Sequence, residues 1–301
     1  MRRLALLTLL AAAGLAADHQ VAITFDDLPR GGDDGDRTYA AIRDMTARLL
    51  APFHDQHIPV AGFVNAGRSG LTPAELRKVL DQWLDAGAEL GNHTYSHPSL
   101  NTTSIADYEA DIVKGEPAIR EALEARGRKL EFFRYPFLMT GPTAEKKSAI
   151  AEFLASRGYR NAVVTIDDAD YLFARASNHP DVAERARREY LPYLESVTAF
   201  FETRSVEVAG REFPQILLLH ASELNSRMIP EVLAMFRRRG YAFVSLDYAL
   251  RDPAYRMPEN FVGTGGFSWI HRWSKAKGMP SKGEPDEPAW LRDWSRQFSW
   301  N

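Results

Sequence analysis

Asp26 and Asp27 close the apolar run Val21–Phe25, and His93 and His97 stand in His93-Thr94-Tyr95-Ser96-His97. One carboxylate and two imidazoles make a three-ligand set for a divalent ion that keeps coordination positions open, the donor set of a hydrolytic metal site. Neighbouring residues of a strand point to opposite sides, so the Asp pair is expected to divide, one on the ion and one free as a base. His-x-x-x-His alone is common, and surface or capping histidines are its plain alternative. The residue after the first His is Thr rather than Glu, so the helix of the zinc proteases is not present. Gly91-Asn92 before the pair and Pro98 after it favour a loop or a single helical turn. An Asp at a strand end often only caps a turn. Here Thr24-Phe25 continues a buried strand, where an unpaired carboxylate is costly, so a metal or cationic partner is expected. Asp33, Asp34 and Asp36 lie in a Gly-rich stretch without the later bidentate Glu of a calcium hand, and are expected to be solvated loop.

The chain around these groups has 301 residues, 45% of them hydrophobic, enough to bury a large core in one domain. It has no cysteine, which excludes disulfides and leaves His and carboxylates as the ligands for a transition metal. Arg2 and Arg3, the apolar run from Leu4 to Leu15 and the small residues Ala16 and Ala17 have the layout of a cleavable secretory signal over residues 1–17. That run is short for a bilayer span, so no stable membrane anchor is expected. An exported chain would then begin near Asp18. Loss of the two arginines takes the basic count from 37 to 35 against 40 acids, and the net charge from −3 to −5. Nucleic acid is not an expected partner.

Short β-branched or apolar runs alternate with longer helical patterns, as a parallel sheet covered by helices requires. Strands are expected at Val21–Phe25, Val60–Val64, Ala88–Gly91, Phe132–Arg134, Ala162–Ile166, Ile216–Leu219 and Ala242–Ser245. Helices are expected near Tyr39–Leu50, Pro73–Ala86, Ser104–Ala125, Thr143–Arg157, Val182–Glu202 and Met228–Arg238, with stops at Gly87, Gly158 and Gly240. The class is α/β, a distorted (β/α) barrel of about seven strands, closed or incomplete. Such a barrel carries its reactive groups at the C-terminal ends of its strands. The candidates fall there: Asp26 and Asp27 after the first strand, His93 after the third, Arg134 after the fourth, Asp167 to Asp170 after the fifth and His220 after the sixth. A catalytic domain over 18–255 and an aromatic-rich tail over 256–301, packed on the barrel, complete the organisation.

Five stretches in order resemble the motifs of the polysaccharide deacetylase family, carbohydrate esterase family four. They are Thr24-Phe25-Asp26-Asp27, His93 to His97, Arg134-Tyr135-Pro136-Phe137, Asp167-Asp168-Ala169-Asp170-Tyr171 and Leu218-Leu219-His220. Phe137 replaces the usual Tyr, and Tyr171 the usual Trp. The resemblance implies a divalent metal, zinc by preference, on Asp27, His93 and His97, able to polarise an amide carbonyl and lower the pKa of a bound water from about 15.7 toward about 7. It implies Asp26 as the base, Arg134 orienting it, and the Phe137 backbone N–H as an oxyanion donor. His220 becomes the acid, tuned by Asp170. Leu218 would line a pocket for the acetyl methyl group, and Tyr171 and Trp269 would contact substrate. Gly263 to Trp273 concentrates Gly and aromatics, suited to stacking on sugar rings or to anchoring the tail. The expected function is exported, metal-dependent hydrolysis of N-acetyl groups on amino-sugar polymers or oligomers. The alternatives are a catalytically silent carbohydrate-binding protein on the same fold, or a deacetylase of O-acetyl or non-sugar amide substrates.

Overall fold

The computed structural model describes residues 19–280 and 283–298. The expected signal segment over 1–17 lies outside them. Strands and helices alternate from the start: β1 (His19–Leu28), α1 (Tyr39–Asp55), β2 (Val60–Val64), α2 (Pro73–Asp85), β3 (Glu89–Asn92), α3 (Ile105–Glu124), β4 (Phe132–Phe133), α4 (Ala144–Ser156) and β5 (Arg160–Asn161). The second half runs β6 (Ile166–Asp167), α5 (Asp170–Ala176), α6 (Ala183–Ala209), β7 (Gln215–His220), α7 (Glu223–Arg238), β8 (Tyr241–Phe243) and α8 (Leu246–Leu250). The C-terminal segment adds α9 (Trp269–Ala276) and α10 (Ala289–Ser295). Helix starts follow local chemistry. Thr72 caps α2 in a reciprocal box with Glu75, Ser104 caps α3 and Ser222 caps α7.

The strands form one sheet in the order β5-β4-β3-β2-β1-β7-β6, with β8 beside the start of β1, and every pairing is parallel. This is the expected α/β half-barrel, curled but open between β5 and β6. Strands buried on both faces read as near-continuous apolar runs, as in Val60–Val64 and Gln215–Leu219. The strand expected over Ala162–Ile166 is instead two two-residue strands on either side of the opening. Residues between them turn to meet the tail: Val164 O accepts from the Trp269 N–H at 2.8 Å, and Thr165 O from the Ser268 hydroxyl at 2.7 Å. The tail therefore fills the seam that the sheet leaves open.

Register places the site. Thr24 lies beside Leu218 and Asp26 beside His220 across β1 and β7, so these four share one face at the C-terminal end of the sheet. Past Phe25 the β1–β2 register shifts, and Asp27 takes a positive φ of 60°. That kink overrides strand alternation. The two carboxylates do not diverge: Asp26 Oδ2 and Asp27 Oδ1 approach the same His93 Nε2, at 3.7 and 3.8 Å.

Candidate active site

Asp27, His93 and His97 each offer a ligand atom, and these atoms all lie within 4.8 Å of one another. Asp27 Oδ1 is 3.8 Å from His93 Nε2 and 3.5 Å from His97 Nε2. A tetrahedral centre with bonds of about 2.1 Å spaces its ligands by about 3.4 Å, so the cluster has the right size for a zinc-like ion. Two further features fit a cation there. Asp27 Oδ1 is buried without a hydrogen-bond partner. The His93 Nδ1–H can donate to the Arg134 carbonyl at 2.8 Å, which leaves Nε2 as the free lone pair on the cluster side.

Electrostatics favour the ion-binding forms of Asp27 and His97. Burial opposes the charge on Asp27, but His97, His220, His93 and Arg68 outweigh it and bring its pKa down to about 2. Burial, aided by His93 and Arg68 and opposed by Asp27, lowers His97 to about 3, so its ring is neutral at neutral pH. Arg68 Nη1 lies 3.3 Å from His97 Nδ1. An ion held on Nε2 would require the ring proton on Nδ1, the nitrogen that Arg68 faces.

The loop that carries the histidines is shaped by α3. Asp111 Oδ1 accepts the N–H groups of Tyr95 and Ser96, both at 2.8 Å, and Asn92 Oδ1 accepts that of Thr94. Thr94 and His97 both adopt positive φ. Such conformations are costly for non-glycine residues and persist where surrounding bonds impose them.

Asp26 is buried and met by a fully buried guanidinium. Arg134 Nη1 donates to Asp26 Oδ1 at 2.8 Å and to Thr24 Oγ1 at 2.7 Å, while Nε donates to the Ala162 carbonyl at 2.9 Å. The Phe63 ring lies 4.2 Å from its central carbon. These contacts fix Asp26 with Oδ2 toward the cluster.

On the neighbouring strand, His220 Nδ1 is 2.6 Å from Asp170 Oδ1, and the His220 backbone N–H donates to Asp170 Oδ2 at 2.7 Å. Burial lowers the imidazole pKa, but the charge and hydrogen bond of Asp170, with Asp27 and Asp26 behind it, push it up to about 10. Without an ion in the cluster, His220 therefore carries a proton at neutral pH. Asn225 of α7 ties the pair down, donating to Asp170 Oδ2 and to the His220 carbonyl. The Tyr190 hydroxyl joins Asn225 to Asp168, whose pKa burial raises well above the ordinary value.

The remaining candidates divide. Phe137 is 45% exposed, with its ring centroid 4.3 Å from that of His97. Tyr171 is 41% exposed and lies beside the His220 ring, at the lip of the site. Leu218 is buried one pleat below His220. Trp269 is only 6% exposed, in the core with Arg272 over its ring, so it has no open face for stacking on a sugar. Asp33 is not solvated either. It is buried in a two-pronged pair with Arg30, at 2.8 and 2.9 Å, and accepts the Glu223 N–H at the start of α7. The partners that sequence reasoning missed, Asn225, Asp111 and the Thr24 hydroxyl as a hold on Arg134, are ordinary polar residues. For the first two, only their proximity in space marks them.

Residues 14–160 match the polysaccharide deacetylase family. Among solved structures, a polysaccharide deacetylase from Bacillus cereus is similar with a TM-score of 0.53 and 16% identity, over 75% of this chain and 91% of that one. A family 4 carbohydrate esterase from Streptomyces lividans, in complex with acetate, gives 0.51 and 19%, over 78% and 97%. A CE4 family pseudoenzyme from Bacillus anthracis gives 0.51 and 17%, over 78% and 66%. At these identities the structural likeness is one of fold.

Proposed function

We propose, from the match of residues 14–160 to the polysaccharide deacetylase family, that the chain is an exported, metal-dependent hydrolase of N-acetyl groups on amino-sugar polymers or oligomers. The observation that carries this reading is the Asp27, His93 and His97 cluster, with Asp26 and His220 beside it on adjacent strands. A divalent ion, zinc by the chemistry of an Asp and two His donors, would polarise the acetamide carbonyl and acidify a water. Asp26 accepts the proton of the attacking water, held in line by Arg134. The Phe137 N–H donates to the oxygen on which charge develops. His220, charged through Asp170, gives its proton to the departing nitrogen as the C–N bond breaks. Leu218 offers an apolar surface for the acetyl methyl group, and Tyr171 a ring for a sugar at the lip. The secretory pattern at residues 1–17 supports action outside the cytoplasm, where such polymers lie.

Both a buried base and a charged acid are retained, and binding alone requires neither. The test is acetate release from chitooligosaccharides and peptidoglycan fragments, with and without chelator. Release that needs metal and falls about 10²- to 10⁴-fold in Asp26→Asn supports the enzyme. Binding without release under any divalent metal supports a silent carbohydrate-binding protein instead.

A further inference from the structure

The tail beyond the barrel reaches the loop that carries Phe137, and no role in the chemistry above uses it. Phe137 and Leu138 are consecutive non-glycine residues at positive φ, 55° and 53°. Two such residues in a row persist only where their surroundings hold them. Locally the Leu138 N–H donates to the Tyr135 carbonyl at 3.0 Å and the Met139 N–H to the Pro136 carbonyl at 3.1 Å, and the tail holds the turn from outside. Arg272 is fully buried, donates from Nη2 to the Leu138 carbonyl and from Nη1 to Thr140 Oγ1 at 2.7 Å, and lies over the Trp269 ring at 4.2 Å. Gly266 packs its backbone directly on the preceding carbonyl: a Cβ at that position would sit 1.7 Å from Phe137 O. The strap is pinned at both sides of the open seam, by Asn101 to the Thr264 carbonyl at 2.8 Å and by Ser268 to Thr165.

We infer that Arg272 and Gly266 are positioning residues of the site: they clamp two consecutive carbonyls, fix the left-handed turn at Phe137-Leu138, and so set the Phe137 amide and its ring against His97. The Gly-rich and aromatic composition of this stretch follows from that task. Glycine allows backbone to lie on backbone, and the rings enclose a guanidinium that must stay dry. The catalytic part of the inference rests on the deacetylase reading, whereas the positional part does not.

The experiment compares Gly266→Ala, Arg272→Met and Arg272→Lys with Trp290→Phe, which removes a tail hydrogen bond to Glu189 far from the loop. Two readouts are taken at temperatures well below each melting point. The first is the amide resonance of Phe137, selected by carbonyl-labelled proline and nitrogen-labelled phenylalanine. Phe53, the other Phe that follows a Pro, gives the second signal and is the internal control. The second is kcat and KM for acetate release. Gly266→Ala and Arg272→Met should shift or broaden the Phe137 resonance and lower kcat by about 10-fold or more, with KM within about 3-fold. Arg272→Lys should recover part of both, and Trp290→Phe should change neither. An unmoved Phe137 resonance with kcat within about 2-fold of the parent overturns the inference, as does an equal loss in Trp290→Phe. If the parent releases no acetate, the deacetylase reading fails and the resonance alone decides the strap. If Gly266→Ala does not fold, the Arg272 pair decides.

Discussion

In the proposed reaction His220 must hold a proton at neutral pH, and its neighbours supply the means. Its folded pKa of about 10 lies above the ordinary value near 6.5, because Asp170 outweighs burial. A raised imidazole pKa stabilises the fold fully below the unfolded value, and that contribution is lost as pH rises through the folded value. In chelator-treated protein, urea midpoints should therefore fall between about pH 6.5 and 10, and Asp170→Asn should flatten that slope. A slope unchanged by the substitution would show that another group governs it. That Asp26, Asp27, His93, His97 and His220 would gather was legible in the sequence, because Asp and His are uncommon at the ends of apolar strands. Asn225 and Asp111 were not, since an amide or carboxylate on a helix face looks the same whether it meets water or orients a catalytic group.

Among the elements, the long amphipathic helices and the strands Val60–Val64 and Gln215–His220 follow from local pattern, but two local rules fail next to the site. Strand alternation fails at Asp27, where the left-handed backbone turns both carboxylates toward His93. The rule that acidic, Gly-rich loops are solvated fails at Asp33, whose pair with Arg30 docks residues 29–37 on α7. Gly31 of this loop donates its N–H to the Ala221 carbonyl at 2.7 Å, immediately after His220. Asp33→Ala would leave the buried Arg30 without a counter-charge and should cost about 3–5 kcal/mol. A thermal melt checks this, and a loss under about 1 kcal/mol would make the loop an appendage rather than a wall of the site. The strand expected over Ala162–Ile166 is broken for a related reason. Its apolar pattern was real, but half of it serves the tail rather than the sheet.

For the molecule as a whole, an open half-barrel needs something to cover its seam, and the C-terminal segment does so with buried Trp269, Ile270, Arg272 and Trp273. Composition alone left those residues open between binding sugars and anchoring the tail, because both tasks use the same side chains. Burial decides for the anchor. The barrel brings Asp27, His93 and His97 together from β1 and the loop after β3, and the proposed chemistry depends on those three sharing one ion. The direct measurement is anomalous diffraction above the zinc edge from crystals soaked in zinc at one equivalent per chain. One strong peak is expected, bonded to Asp27 Oδ1, His93 Nε2 and His97 Nε2 and lost in His97→Ala. No peak at that position, or a peak that persists in the variant, would contradict it.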